Sequence, residues 1–169
     1  MRNVHPNEPC SKKIYNILLA EDDDDDFYIF NHAMSSLLGT IQILHTSNGV
    51  MLSTIIQSQI EPDVIFLDIN MPYKNGIACL KEIRSNPLFN ATRVVIYSTA
   101  KQKREIDICF DLGANFYLVK PTQFSIIKLQ LGDLLQNEFF KLNKQPSREE
   151  FLMDYQYTSG KEFQNKLVA

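Results

Sequence analysis

Asp63–Pro72 reads DVIFLDINMP, and this stretch decides the fold. Val64 to Leu67 are apolar without a break, so neither face of the segment suits water. A run of that length belongs in the middle of a sheet covered on both sides. Asp68 follows at once and puts a carboxylate at the end of the buried strand. Four further runs have the same character: Ile14–Ala20 (IYNILLA), Ile41–His45 (IQILH), Arg93–Ser98 (RVVIYS) and Asn115–Val119 (NFYLV). Each is short, apolar and mostly β-branched or aromatic, as strands are.

Helical periodicity fills the gaps between them. Asp25–Leu38 carries Phe27, Phe30, Met34, Leu37 and Leu38 along one face. Gly49–Gln59, Gly76–Ser85, Lys103–Leu112 and Thr122–Phe140 read as helices for the same reason, and Gly113 is placed to end the fourth. Strictly alternating strands and helices predict βαβ crossovers, hence an α/β doubly wound sheet of five parallel strands flanked by five helices. The division expected is a disordered lead-in over 1–12, one domain over 13–140 and a C-terminal extension over 141–169. In that extension, Ser147-x-x-Glu150 ahead of Phe151–Met153 reads as a capping box opening a short helix. Phe151, Leu152 and Tyr155 leave two readings open, a frayed extension or a docking or dimer-modifying arm.

Composition narrows the function. The chain has 169 residues, 44% hydrophobic and 22% charged, which suits one soluble domain with a proper core. A net charge of −3 and the lack of a basic, aromatic-interleaved patch argue against nucleic acid. No apolar run approaches the roughly 20 residues of a membrane span, and the first residues lack the apolar centre of a secretory signal. Cys10, Cys79 and Cys109 have no C-x-x-C spacing and read as reduced, structural thiols in a cytoplasmic protein. His5, His32 and His45 are scattered and read as structural.

In a doubly wound sheet, sites form beyond the C-terminal ends of the strands, where strand order reverses. Glu21 and Asp22 follow the first strand, Asp68 the third, Thr99 the fourth and Lys120 the fifth. Three clustered carboxylates raise one another's pKa values unless a cation intervenes. Mg²⁺ suits them, since it takes oxygen ligands and pairs one or two carboxylates with a phosphate oxygen. A carboxylate so placed can attack phosphorus and form an aspartyl phosphate, while a lysine and a hydroxyl neutralise the transferred oxygens.

The set ILLAEDD, VIFLDINMP with Gly76, VIYSTA and GANFYLVKP resembles the receiver domain of two-component response regulators, over about Ile14 to Asn137. The resemblance implies a flavodoxin-like sheet of order 2-1-3-4-5, whose site lies at the switch point beside the first strand. It implies that Asp68 is the phosphoacceptor. Mg²⁺ is then held by Glu21, Asp22, Asp68 and the backbone carbonyl of Asn70, with Glu21, the longer acid, reaching the metal directly or through its water. Thr99 is the switch hydroxyl, Lys120 the lysine that contacts the phosphoryl group, and Tyr117 the switch aromatic. Lys120–Pro121 is expected as a cis peptide. Asn70 and Lys101 flank the site where the family sets phosphoryl lifetime. A sensor histidine kinase or histidine phosphotransfer protein supplies the phosphoryl group, and a downstream protein reads the face built from the fourth helix, fifth strand and fifth helix.

Other functions fit less well. An aspartyl-nucleophile phosphatase needs D-x-D, and Asn70 stands where its acid belongs. A flavin module needs backbone N–H donors after the first strand, where this chain has Glu21 and five aspartates. An intermediate carrier in a multistep phosphorelay stays open beside a stand-alone regulator, and no DNA-binding segment is seen. The acid run Glu21–Asp26 divides after Asp22: Asp23 or Asp24 caps the first helix, and Asp25 and Asp26 complement its dipole. Gly76 reads as a backbone device.

Overall fold

The computed structural model describes residues 15–38, 41–58 and 60–155. His5, Cys10, the lead-in over 1–12 and the residues after Tyr155 lie outside them. In chain order the elements are β1 (Tyr15–Ala20), α1 (Asp24–Leu38), β2 (Ile41–Thr46), α2 (Gly49–Gln57), β3 (Val64–Leu67) and α3 (Gly76–Ser85). There follow β4 (Arg93–Ser98), α4 (Lys103–Asp111), β5 (Phe116–Val119), α5 (Phe124–Gln136), α6 (Glu138–Lys141), α7 (Arg148–Phe151) and β6 (Leu152–Met153). The strands form one sheet in the order β2-β1-β3-β4-β5-β6, with every neighbouring pair parallel.

The apolar run at β3 does what its composition requires. All four of its residues are buried, because successive side chains enter opposite layers of the core. Ile65 and Leu67 pack with Leu52, Leu80, Ile83 and Cys109 from α2, α3 and α4. Val64 and Phe66 pack with Phe30, Met34, Ile127 and Leu131 from α1 and α5. β2, on the edge, alternates half-buried and exposed residues instead.

Helix ends follow side-chain chemistry. Asp23 caps α1, its carboxylate accepting from the backbone N–H of Asp25 (2.9 Å) and Asp26 (3.0 Å). Asn48 and Asn75 cap α2 and α3 in the same way. Gly113 has φ +87°, the left-handed conformation that lets the Ala114 N–H turn back to the Cys109 carbonyl at 3.0 Å. Arg84 locks the adjoining loops. Its guanidinium donates to the carbonyls of Gly113 (2.8 Å), Phe89 (3.2 Å) and Thr92 (3.1 Å) and to Asn115 Oδ1 (2.9 Å).

Four expectations change. The single helix expected over Thr122–Phe140 is two, because Asn137 is extended (φ −62°, ψ 133°) and its side chain restarts the helix by accepting from Phe139 and Phe140 N–H. The Lys120–Pro121 bond is trans, and there is no cis peptide among the described residues. Trans is the lower-energy isomer of an X–Pro bond, and Lys120 reaches its carboxylate partners from it. The C-terminal extension supplies a sixth strand as well as the short helix α7. Phe151 enters the layer of α2–α4, while Met153 and Tyr155 enter that of α1 and α5. Gln130 of α5 fastens the strand, its buried amide donating to the carbonyls of Val119 (3.1 Å) and Met153 (2.7 Å). Tyr155 donates to Asp133 at 2.6 Å. Phe151 and Tyr155 thus pack on their own domain. The capping box is incomplete: Ser147 makes no side-chain bond to the helix backbone and donates to Glu150 at 2.8 Å instead.

Candidate functional site

β1 lies between β2 and β3, so the chain leaves it toward one side and returns on the other. That reversal opens a cleft at the C-terminal strand ends. Asp68 is fixed there by its backbone N–H, which donates to Ala20 O at 3.0 Å. Glu21 is tied to β2 through its N–H and Thr46 O (2.9 Å), and Lys120 to β4 through its N–H and Ser98 O (2.9 Å). Gly76 keeps the loop after β3 closed: a Cβ there would lie 2.0 Å from the Asp68 carbonyl oxygen.

Carboxylate oxygens of Glu21, Asp22 and Asp68 lie within 4.8 Å of one another. Asp22 is exposed, while Glu21 and Asp68 are buried. Lys120 projects into the same cleft, its side chain 6% exposed. Its ammonium donates to Glu21 at 2.5 Å, Asp26 at 2.8 Å and Asp68 at 3.1 Å, and lies 5.6 Å from the centre of the Tyr97 ring. Burial pushes the Glu21 carboxyl up to about 7; Lys120 opposes this and the neighbouring Asp68 reinforces it. Burial alone would lower the Lys120 ammonium, but Asp68, Glu21 and Asp26 hold it well above the usual lysine range. One ammonium does not balance these carboxylates. The donor set, all hard oxygen, fits a small divalent cation.

The remaining expected residues are distributed around this centre. Asn70 follows Asp68 by two, its N–H donating to Asp68 Oδ1 at 3.2 Å. Thr99 follows β4 with its side chain exposed at the same rim. Tyr117 is fully buried in β5 and points into the layer of α2–α4, where its hydroxyl donates to Ala100 O at 2.9 Å. It is thus bonded to the residue next to Thr99. Phe151 meets Tyr117 edge-on at 6.3 Å and Phe110 at 5.1 Å. His45 stacks on Phe27 (4.2 Å) and shares a hydrogen bond with Glu21 O. His32 packs near Phe124. Burial pushes the Cys79 and Cys109 thiols up to about 11 and about 12, which makes them inert.

The sequence places Asp26 at the helix dipole alone, yet in the structure it accepts from Lys120. Its position four residues beyond Asp22 places it one turn into α1, on the side facing the cleft. That spacing was the available signal, and it is masked because every residue from Asp22 to Asp26 is an aspartate.

Residues 17–131 match the response regulator receiver domain. The chain belongs to that family. Among curated receivers it is 32% identical over 111 residues to the probable C4-dicarboxylate response regulator DctR of Bacillus subtilis, covering 66% of this chain and 48% of that one. The chain therefore spans about half of DctR. It is 28% identical over 118 residues to the chemotaxis protein CheY1 of Helicobacter pylori, covering 70% of this chain and 95% of that one. Response regulator Rcp1 of Synechocystis is 28% identical over 110 residues, 62% of this chain and 75% of Rcp1. Among solved structures, the phosphorylated cyanobacterial phytochrome response regulator RcpA superposes with a TM-score of 0.69 at 26% identity, over 78% of this chain and 96% of that one. A receiver domain from Rhodospirillum rubrum gives 0.65 at 27% identity, over 72% and 93% of the two chains. This chain shares its receiver fold, flavodoxin-like with a parallel sheet and flanking helices, with these solved structures. Among the described residues no helix is long and apolar enough to cross a membrane.

Proposed function

We propose that this receiver accepts a phosphoryl group on Asp68 from a phosphohistidine of a sensor histidine kinase or histidine phosphotransfer protein, in the cytoplasm where ATP-dependent kinases work. One observation carries the reading: the Asp68 carboxylate lies beside those of Glu21 and Asp22 and 3.1 Å from the Lys120 ammonium. An Asp68 oxygen attacks phosphorus, the P–N bond to imidazole breaks, and the ring nitrogen keeps the electron pair. Lys120 neutralises a phosphoryl oxygen as charge builds on it, and the Thr99 hydroxyl donates to another. Glu21, Asp22, Asp68 and the Asn70 carbonyl would hold Mg²⁺, and the ion when bound would supply neutralising positive charge for the transfer. RcpA, solved in a phosphorylated form, supports the phosphoryl chemistry.

The output follows from the same bonds. Thr99 precedes Ala100, and Ala100 O accepts from Tyr117. A phosphoryl group that draws Thr99 inward shifts this loop and, through Tyr117, the face of α4, β5 and α5. In this chain α7 and β6 lie along that face, so the downstream protein meets them too. The receiver spans 13–140, and the extension over 141–169 adds α7 and β6 to it. The chain catalyses its own phosphorylation and dephosphorylation rather than turning over a separate substrate.

Incubation with radiolabelled acetyl phosphate and Mg²⁺ tests the reading. Label should appear on the wild type and fall to background in Asp68→Asn; equal labelling of the two sinks the proposal. Transfer from a panel of phosphorylated histidine kinases then identifies the donor.

A further inference from the structure

We propose that Asp26 is a positioning residue which draws the Lys120 ammonium toward the α1 side of the cleft, competes with Asp68 for it, and so restrains phosphoryl transfer. The inference rests on Asp68 being the phosphoacceptor. An ammonium has three hydrogens. Here all three go to carboxylates, at 2.5 Å to Glu21, 2.8 Å to Asp26 and 3.1 Å to Asp68. The longest of the three bonds is the one to Asp68. With the Lys120 side chain only 6% exposed, solvent does not replace a lost partner.

The three carboxylates stand differently. Glu21 and Asp68 belong to the cluster with Asp22 that suits a cation. Asp26 stands outside that cluster, and among the described residues its side chain bonds to Lys120 alone. Its own placement is firm. It lies in the first turn of α1, where the helix dipole favours an anion, and its N–H is bonded to the Asp23 cap. A phosphoryl group on Asp68 adds acceptor oxygens beside the ammonium, and Lys120 must give up one carboxylate to serve them. Asp26 competes for that hydrogen. Its charge also opposes an incoming dianionic donor at short range.

The test measures labelling of Asp68 by acetyl phosphate at saturating Mg²⁺, together with the Lys120 side-chain ammonium signal by ¹⁵N NMR. Asp26→Asn should label about three- to tenfold faster than wild type, as expected for removing one nearby charge at partial screening. Its Lys120 signal should shift. Asp25→Asn removes the same charge from the exposed neighbouring residue and should stay within about twofold of wild type, with the Lys120 signal unmoved. Asp26→Glu, which restores the carboxylate, should return the rate toward wild type. Thermal unfolding confirms that each variant is folded. An unchanged or slower rate in Asp26→Asn overturns the inference, and so does an equal acceleration in Asp25→Asn, which would make net charge the cause. Wild-type protein that takes no label at Asp68 overturns the functional reading and this inference with it; a labelled wild type with an unaltered Asp26→Asn rate overturns the inference alone.

Discussion

Replacing Phe151 by Ala should release the sixth strand while leaving the rest of the sheet folded. The Phe151 ring is 1% exposed. It meets Phe110 at 5.1 Å with an interplanar angle of 84°, and Tyr117 at 6.3 Å with 64°. Truncating a buried Phe to Ala costs about 3–5 kcal/mol through lost transfer energy and the cavity left behind. Against that loss stand the Gln130 bond to the Met153 carbonyl and the Tyr155 bond to Asp133, each worth about 0.5–1.5 kcal/mol net. β6 is two residues long and pairs with β5 alone. Such an edge element opens locally at a lower free energy than the whole domain. A loss of about 3 kcal/mol corresponds to roughly 100-fold in the opening equilibrium, since about 1.4 kcal/mol is tenfold. Amide hydrogen exchange at Leu152–Tyr155, followed by NMR, should therefore speed up by about that factor in Phe151→Ala. Leu142→Ala, at a side chain 64% exposed, is the control and should leave exchange unchanged. If β6 amides in Phe151→Ala keep wild-type protection, Phe151 is not what holds the strand and the reasoning is refuted.

Gly76→Ala forces a methyl to 2.0 Å from the Asp68 carbonyl oxygen, so backbone must move; a loss of about 1–3 kcal/mol in urea unfolding is expected, with weaker Mg²⁺ binding by calorimetry. Arg84→Met leaves the carbonyls of Gly113, Phe89 and Thr92 without their donor; a drop of about 1–3 kcal/mol or more is expected in the same urea assay, and an unchanged midpoint contradicts it. The Glu21 carboxyl, pushed up to about 7 from 4.5, must lose its proton before it serves a cation. Mg²⁺ affinity should therefore fall as pH drops below about 7, by at most about tenfold per unit, and Glu21→Gln should flatten the dependence. The sign reverses for the stability of metal-free protein. Because the folded-state pKa is raised, the Glu21 contribution is complete below 4.5 and is lost as pH rises through about 7. Wild type and Glu21→Gln should diverge in melting temperature across that window, and parallel curves would contradict the burial argument.

Much of this protein was determined by sequence alone. Uninterrupted apolar runs such as Val64–Leu67 dictate strands buried on both faces, and the helical periodicity between them dictates parallel crossovers. Those two facts place Glu21, Asp22, Asp68, Thr99 and Lys120 at one end of the sheet before any coordinate is known. Local chemistry likewise announces the aspartate cap of α1 and the turn at Gly113. What stayed hidden depends on contacts between residues far apart in the chain. Leu152–Met153 is too short to declare itself a strand; it becomes one because β5 offers an open edge and Phe110, Tyr117 and Gln130 offer places for its neighbours. Asp26 is indistinguishable from the aspartates beside it until the end of β5 brings Lys120 to within 2.8 Å. Periodicity is a property of adjacent residues and survives in one dimension. Which carboxylate an ammonium chooses depends on distances across the sheet, and only the packed structure sets those.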